Sequence, residues 1–104
     1  MGERISVAWQ QGNAGSVCRD RNEADNALRH YHQALALFAQ EQHWMGIADQ
    51  ASNIGYIHAI KGELETALHW FEKARAIYVA RGEERKARLT ERNIELLRSQ
   101  GVCS

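Results

Sequence analysis

The sequence contains no proline, few β-branched residues and no convincing alternation of polar and apolar residues. A half-buried strand would show that alternation, so its absence argues against a sheet protein. Alanine, leucine, glutamate, glutamine and arginine are common instead, and all of them favour the interior of a helix. The composition therefore predicts an all-α fold.

Cysteine is also scarce, with only Cys18 and Cys103 present and no CxxC pair. Two cysteines are too few for a disulfide framework. Cys18 lies within an apolar helical pattern, which predicts a reduced core thiol, and Cys103 is expected to be exposed in the tail. No secretory signal pattern begins the chain, and no apolar run approaches the roughly 20 residues that span a bilayer. We expect a cytoplasmic location and no membrane insertion.

Net charge is absent as well, because 13 basic side chains balance 13 acidic ones. A basic excess is typical of proteins that bind nucleic acid or anionic lipid, so neither partner is predicted. The length of 104 residues suits a single domain over 1–104.

What the chain does contain is one helical segment written twice. "NEADNALRHYHQALALF" (22–38) and "GELETALHWFEKARAIY" (62–78) align without a gap at an offset of 67 − 27 = 40. Alanines align with alanines, aromatic residues with aromatic residues and aliphatic residues with aliphatic residues. A fixed offset of roughly 20–50 residues is typical of repeat arrays.

Apolar spacing predicts five helices, over about 4–20, 23–41, 45–61, 63–81 and 84–99. Short polar turns are predicted at Asn22 and Gly62, where a left-handed residue would end the preceding helix. "QEQHWMG" (40–46) and "ARGEERK" (80–86) are predicted to be longer links. The first four helices would form two hairpins, and the fifth would cover the last apolar face.

Each hairpin carries small and aromatic residues at fixed distances that let two helices approach closely. They are Gly15, Ala27, Tyr31 and Ala34 in the first, and Gly55, Ala67, Phe71 and Ala74 in the second. This pattern resembles the tetratricopeptide repeat. The spacing of 40 resembles the repeats of polarity scaffolds, kinesin light chains and bacterial regulatory proteins, although the usual proline of the second helix is missing.

The resemblance implies an α-solenoid with a right-handed superhelix. Repeat 1 would cover about 4–41, repeat 2 about 45–81, and a capping helix about 84–99. Glu95 stands where the close-packing glycine of a third repeat would be, so a genuine end of the array is expected rather than a cut.

The resemblance also implies that the first helix of each hairpin lines a concave wall. The candidate peptide-binding residues on that wall are Trp9, Asn13, Ser16, Arg19, Asp49, Ser52, Asn53, Tyr56, Arg92, Asn93 and Leu96. Asn13, Asn53 and Asn93 are 40 residues apart, and each amide offers two donors and an acceptor to the backbone of an extended peptide. The same amides could instead hydrogen-bond the next helix and fix the stacking.

Other candidates on this wall offer flat or charged contacts. Trp9 and Tyr56 could anchor apolar groups, although Trp9 could equally cover the core. Arg19 and Arg92 could pair with carboxylates. The lysines with which some members of the family clamp acidic C-termini are absent at the corresponding positions.

The five histidines and two cysteines do not form a recognisable metal or catalytic motif. HExxH, zinc-finger spacing, GxSxG and a glycine-rich phosphate loop are all missing. Cys18 and His58 occupy equivalent positions in the two repeats, but two ligands are short of the usual four. We expect no enzymatic activity, metal or cofactor.

Protein–protein interaction, by capture of a peptide in the concave groove, is therefore the predicted function. The alternative is a self-assembling scaffold, or a fragment of a longer array, in which homo-oligomers would form.

Overall fold

A computed structural model of the chain describes the backbone of residues 2–102 and the side chains of residues 2–101. It contains five α-helices: α1 (Gly2–Asp20), α2 (Ala24–Gln40), α3 (Trp44–Ile60), α4 (Leu64–Ala80) and α5 (Glu84–Val102). No strand occurs in this part of the chain, so the all-α prediction is confirmed. Helix α5 extends three residues beyond its predicted end. Cys103 lies outside the described residues.

The four connections are equally short, with three residues each and a left-handed residue at the centre. The backbone φ angle is 64° at Asn22, 51° at Gln42, 80° at Gly62 and 73° at Gly82. The left-handed turns predicted at Asn22 and Gly62 are confirmed. The longer links predicted over 40–46 and 80–86 are wrong, because α3 and α5 each begin two residues after the left-handed residue. The chain therefore turns once every 20 residues.

Consecutive helices pack against each other, and α1 also contacts α3. Buried side chains form four clusters along the array. Equivalent positions 40 residues apart are buried in both repeats, as with Ala8 and Ala48, and Ile54 and Ile94. This packing is that of a helical-repeat solenoid, as predicted, while its handedness stays a prediction.

Two glycines mark the closest approach of the helices within each hairpin. A Cβ added at Gly15 would lie 2.7 Å from Cε1 of Tyr31, and one added at Gly55 would lie 3.2 Å from the carbonyl oxygen of Ala67. The close approach predicted for these glycines is confirmed. The cost of glycine in a helix, about 1 kcal/mol relative to alanine, is offset by this packing.

Helix length and hydropathy bear on whether any part of the array could enter a bilayer. None of the described helices combines the length and the hydropathy that a membrane-crossing helix requires.

Candidate peptide-binding groove

Two adjoining depressions lie along the side formed by α1, α3 and α5, and together they are called the groove. The first, of about 310 Å³, is lined by Trp9, Gly12, Asn13, Ser16, Asp49, Gln50, Ser52, Asn53, Tyr78 and Lys86. The second, of about 380 Å³, is lined by Arg19, Asp20, Ser52, Asn53, Tyr56, Phe71 and Asn93. Because Ser52 and Asn53 border both, the depressions form one continuous surface.

The three asparagines that stand 40 residues apart all border this groove. Asn13 is exposed at the first depression, Asn93 is half-buried at the second, and Asn53 is half-buried between them. Among residues 2–101, none of the three side-chain amides hydrogen-bonds another protein group. Each amide is therefore available to a ligand, and none of them links neighbouring helices.

Aromatic side chains flank the asparagines at both ends of the groove. The ring of Trp9 meets the buried ring of Phe38 edge-on at 4.7 Å, yet 37% of Trp9 stays exposed. Trp9 therefore does both things expected of it, covering the core and facing the groove. Tyr56 is 49% exposed, and the Arg19 guanidinium lies over its ring at 5.6 Å.

The remaining candidates divide between the groove and the outside of α5. Ser16, at the first depression, shares a 2.9 Å hydrogen bond with the hydroxyl of Tyr31. Arg92 instead lines a separate depression with other residues of α5. Leu96 is exposed and lines neither depression of the groove. The structure thus brings together nine of the eleven candidates.

A polar network that sequence reasoning missed forms one wall of the first depression. The hydroxyl of Tyr78 donates a hydrogen bond to Asp49, and Nζ of Lys86 lies 3.3 Å from the same carboxylate. Burial raises the pKa of Tyr78 above its usual value of 10, and the hydrogen bond to Asp49 and its charge raise it further. The 40-residue register offered a signal, because Asp49 and Tyr78 are the counterparts of Trp9 and Phe38.

Gln50 forms the floor of the same depression and was also missed. Its side chain is 2% exposed, and Oε1 has no hydrogen-bond partner among the described residues. Gly12 makes room for this amide, since a Cβ there would lie 3.0 Å from Nε2 of Gln50. An unpaired buried acceptor is costly, so this is a locally strained feature of the groove.

The charges of the groove largely neutralise one another. Asp49 pairs with Lys86, and Arg19 lies 3.4 Å from the carboxylate of Asp20. Residues 2–101 contain no group of three or more His, Cys, Asp or Glu side chains placed to hold a metal ion. Amide, hydroxyl and aromatic contacts therefore dominate what the groove offers to a ligand.

No family model matches the sequence. The chain is similar to the cell division cycle protein 16 homologs of Homo sapiens and Mus musculus, with 35% identity over 77 residues in each case. The aligned stretch covers 71% of this chain and 12% of either relative. The similarity thus concerns a small part of two much longer proteins.

Proposed function

We propose that this chain is a tetratricopeptide-like interaction module that binds an extended peptide segment of a partner protein in the groove. One observation carries the proposal: three asparagine amides in 40-residue register border one continuous surface, and none of them is used by the protein itself. Polar side chains on a protein surface that lack internal partners can pair with a ligand without breaking existing hydrogen bonds.

An extended backbone suits such a row because it presents donors and acceptors at regular intervals. Each asparagine amide can donate to a peptide carbonyl and accept from a peptide N–H. This recognition does not depend on the side chains of the ligand. Sequence preference would then come from the aromatic rings of Trp9 and Tyr56, which offer apolar contacts at the two depressions.

The similarity to parts of longer proteins also supports a module that acts by contact. The aligned stretch makes up only 12% of either relative. We propose no catalytic role and no cofactor, because the groove holds amides, hydroxyls and neutralised charges. A role as scaffold or adaptor follows from a module of this kind.

Selection from a library of random displayed peptides on the immobilised chain tests the proposal. Peptides that bind are then measured by fluorescence anisotropy against a variant with Asn13→Ala, Asn53→Ala and Asn93→Ala. A hydrogen bond contributes about 1 kcal/mol, so loss of three is expected to weaken binding about 100-fold.

The matched control removes three amides from the opposite side of the array. Asn26, Gln33 and Gln40 are exposed on one face of α2, and their replacement by alanine should leave affinity unchanged. Failure to select any peptide, or equal binding to the asparagine variant and the wild type, would reject the proposal.

A further inference from the structure

The exposed side of α5 differs in character from the equivalent side of α3. Arg85, Leu89, Arg92 and Leu96 follow one another at spacings of four, three and four residues, so they share one face of the helix. These four residues are called the α5 stripe. Their counterparts on α3 are Met45, Asp49, Ser52 and Tyr56. A neutral-to-acidic face is thus replaced by one that alternates arginine and leucine.

Both leucines of the stripe are open to solvent. Leu89 is 53% exposed and Leu96 is 57% exposed, although Ile94 and Leu97 on the side of α5 that packs against the array are buried. Burying a leucine side chain stabilises a complex by about 1.5–3 kcal/mol. The stripe therefore holds apolar area that only an outside partner could cover.

Positive charge surrounds the first leucine. Arg85, Arg88 and Arg92 line a depression of about 520 Å³ together with Leu89, and the single carboxylate of its lining is that of Glu84. Glu84 lies 3.8 Å from Arg88. Arg85 and Arg92 make no ion pair within residues 2–101. This local excess contrasts with the zero net charge of the chain.

We propose that the α5 stripe docks an acidic, amphipathic segment of a partner protein. Carboxylates of that segment would face Arg85 and Arg92, because the planar guanidinium pairs with a carboxylate through two parallel hydrogen bonds. Large apolar side chains would cover Leu89 and Leu96. A second copy of α5 is a poor occupant, since it would set arginine against arginine.

This surface shares no lining residue with the groove, so the inference does not depend on the asparagine row. Two opposite faces of one chain could then hold different segments, or successive parts of one long segment. The peptide selection described above can be scored for both surfaces separately, because different variants remove the two sets of contacts.

Peptides selected on the wild-type chain are tested on a variant with Arg85→Gln and Arg92→Gln. Two exposed ion pairs contribute about 0.7 kcal/mol each, so peptides that use the stripe should bind about 10-fold more weakly to this variant. These peptides should combine Asp or Glu with Leu, Ile or Phe. Their affinity should fall as salt rises from roughly 50 to 300 mM.

A variant with Arg21→Gln and Arg29→Gln is the matched control, because it removes the same charge from exposed positions of the first hairpin. It should bind as the wild type does, and thermal unfolding should be unchanged in both variants. Three results would overturn the inference: no peptide depends on Arg85 and Arg92; the dependent peptides are neutral or basic; or light scattering finds a wild-type dimer that Arg85→Gln with Arg92→Gln disperses.

Discussion

Phe38 and Tyr78 hold equivalent positions near the ends of α2 and α4, and they are packed in opposite ways. Phe38 is fully buried against apolar surroundings. The ring of Trp9 meets it edge-on at 4.7 Å, and a Cβ added at Gly46 would lie 2.3 Å from its Cδ1. Side-chain packing alone fills this first site.

The second site is polar although it is nearly as well buried. Tyr78 is 3% exposed, and its hydroxyl is held by Asp49. Nζ of Lys86 lies over the ring at 5.8 Å, at the position equivalent to Gly46. A ring fills the same place in both repeats, while its neighbours change from apolar to charged. The repeat register thus fixes where a side chain lies and leaves its chemistry free.

The largest effect is expected at the apolar site. Phe38→Ala removes a fully buried ring and leaves a cavity, so the free energy of unfolding should fall by about 3–5 kcal/mol. Urea denaturation followed by circular dichroism measures the loss. A loss smaller than that of Tyr78→Phe would show that the two sites are not built as described.

Gly46→Ala should destabilise the chain by about 1–3 kcal/mol, because the new methyl group overlaps the Phe38 ring. The gain in helix propensity, about 1 kcal/mol, offsets only part of this. A double-mutant cycle with Phe38→Leu is the control. An equal penalty in both backgrounds would place the strain elsewhere than at the ring.

Tyr78→Phe should cost about 1.5 kcal/mol at pH 7–9, since it removes a hydrogen bond to a charged acceptor. The raised pKa sets the pH dependence: unfolded Tyr78 ionises near pH 10 while folded Tyr78 stays protonated. Above pH 10 the wild type therefore loses stability by up to about 1.4 kcal/mol per pH unit through this group.

The deficit of Tyr78→Phe relative to the wild type should consequently close as pH rises above 10. Urea denaturation at several pH values follows it. Tyr56→Phe is the control, because that hydroxyl has no hydrogen-bond partner among the described residues. A deficit that stays constant up to pH 11 would contradict the network.

The smallest effect is expected at the floor of the groove. Gln50→Met replaces an unpaired buried amide by a side chain of similar size, so stability should be unchanged or rise by up to about 1 kcal/mol. Gln10, its exposed counterpart in α1, serves as the control in Gln10→Met. A loss above 1 kcal/mol at Gln50 would mean that its carbonyl has a partner in solution.

Much of the fold could be predicted because the residues that carry it are local or repeated. Gly15 and Gly55 show the close approach of helices by their spacing from Tyr31 and Phe71. The turn at Gly62 follows from the conformational freedom of glycine. Gln42 gave no such sign, because glutamine rarely adopts a left-handed backbone, and the sequence suggested a longer link there.

The groove could be predicted only in part, because it depends on how helices are rotated in three dimensions. The asparagine row is visible in the sequence as a fixed spacing, and the structure places all three residues at one surface. Arg92 and Leu96 share that repeat register but lie apart from it. The contact between Asp49 and Tyr78 joins residues on different helices, and hydropathy alone does not indicate such pairs.

Nuclear magnetic resonance of the side-chain amides tests the central claim most directly. The ¹⁵N-labelled chain is titrated with a peptide obtained by the selection described above, and the NH₂ signals of Asn13, Asn53 and Asn93 are followed. The account predicts that all three move together and saturate at one peptide per chain. Shifts confined to residues of α2 and α4, with the three asparagine signals unmoved, would contradict it.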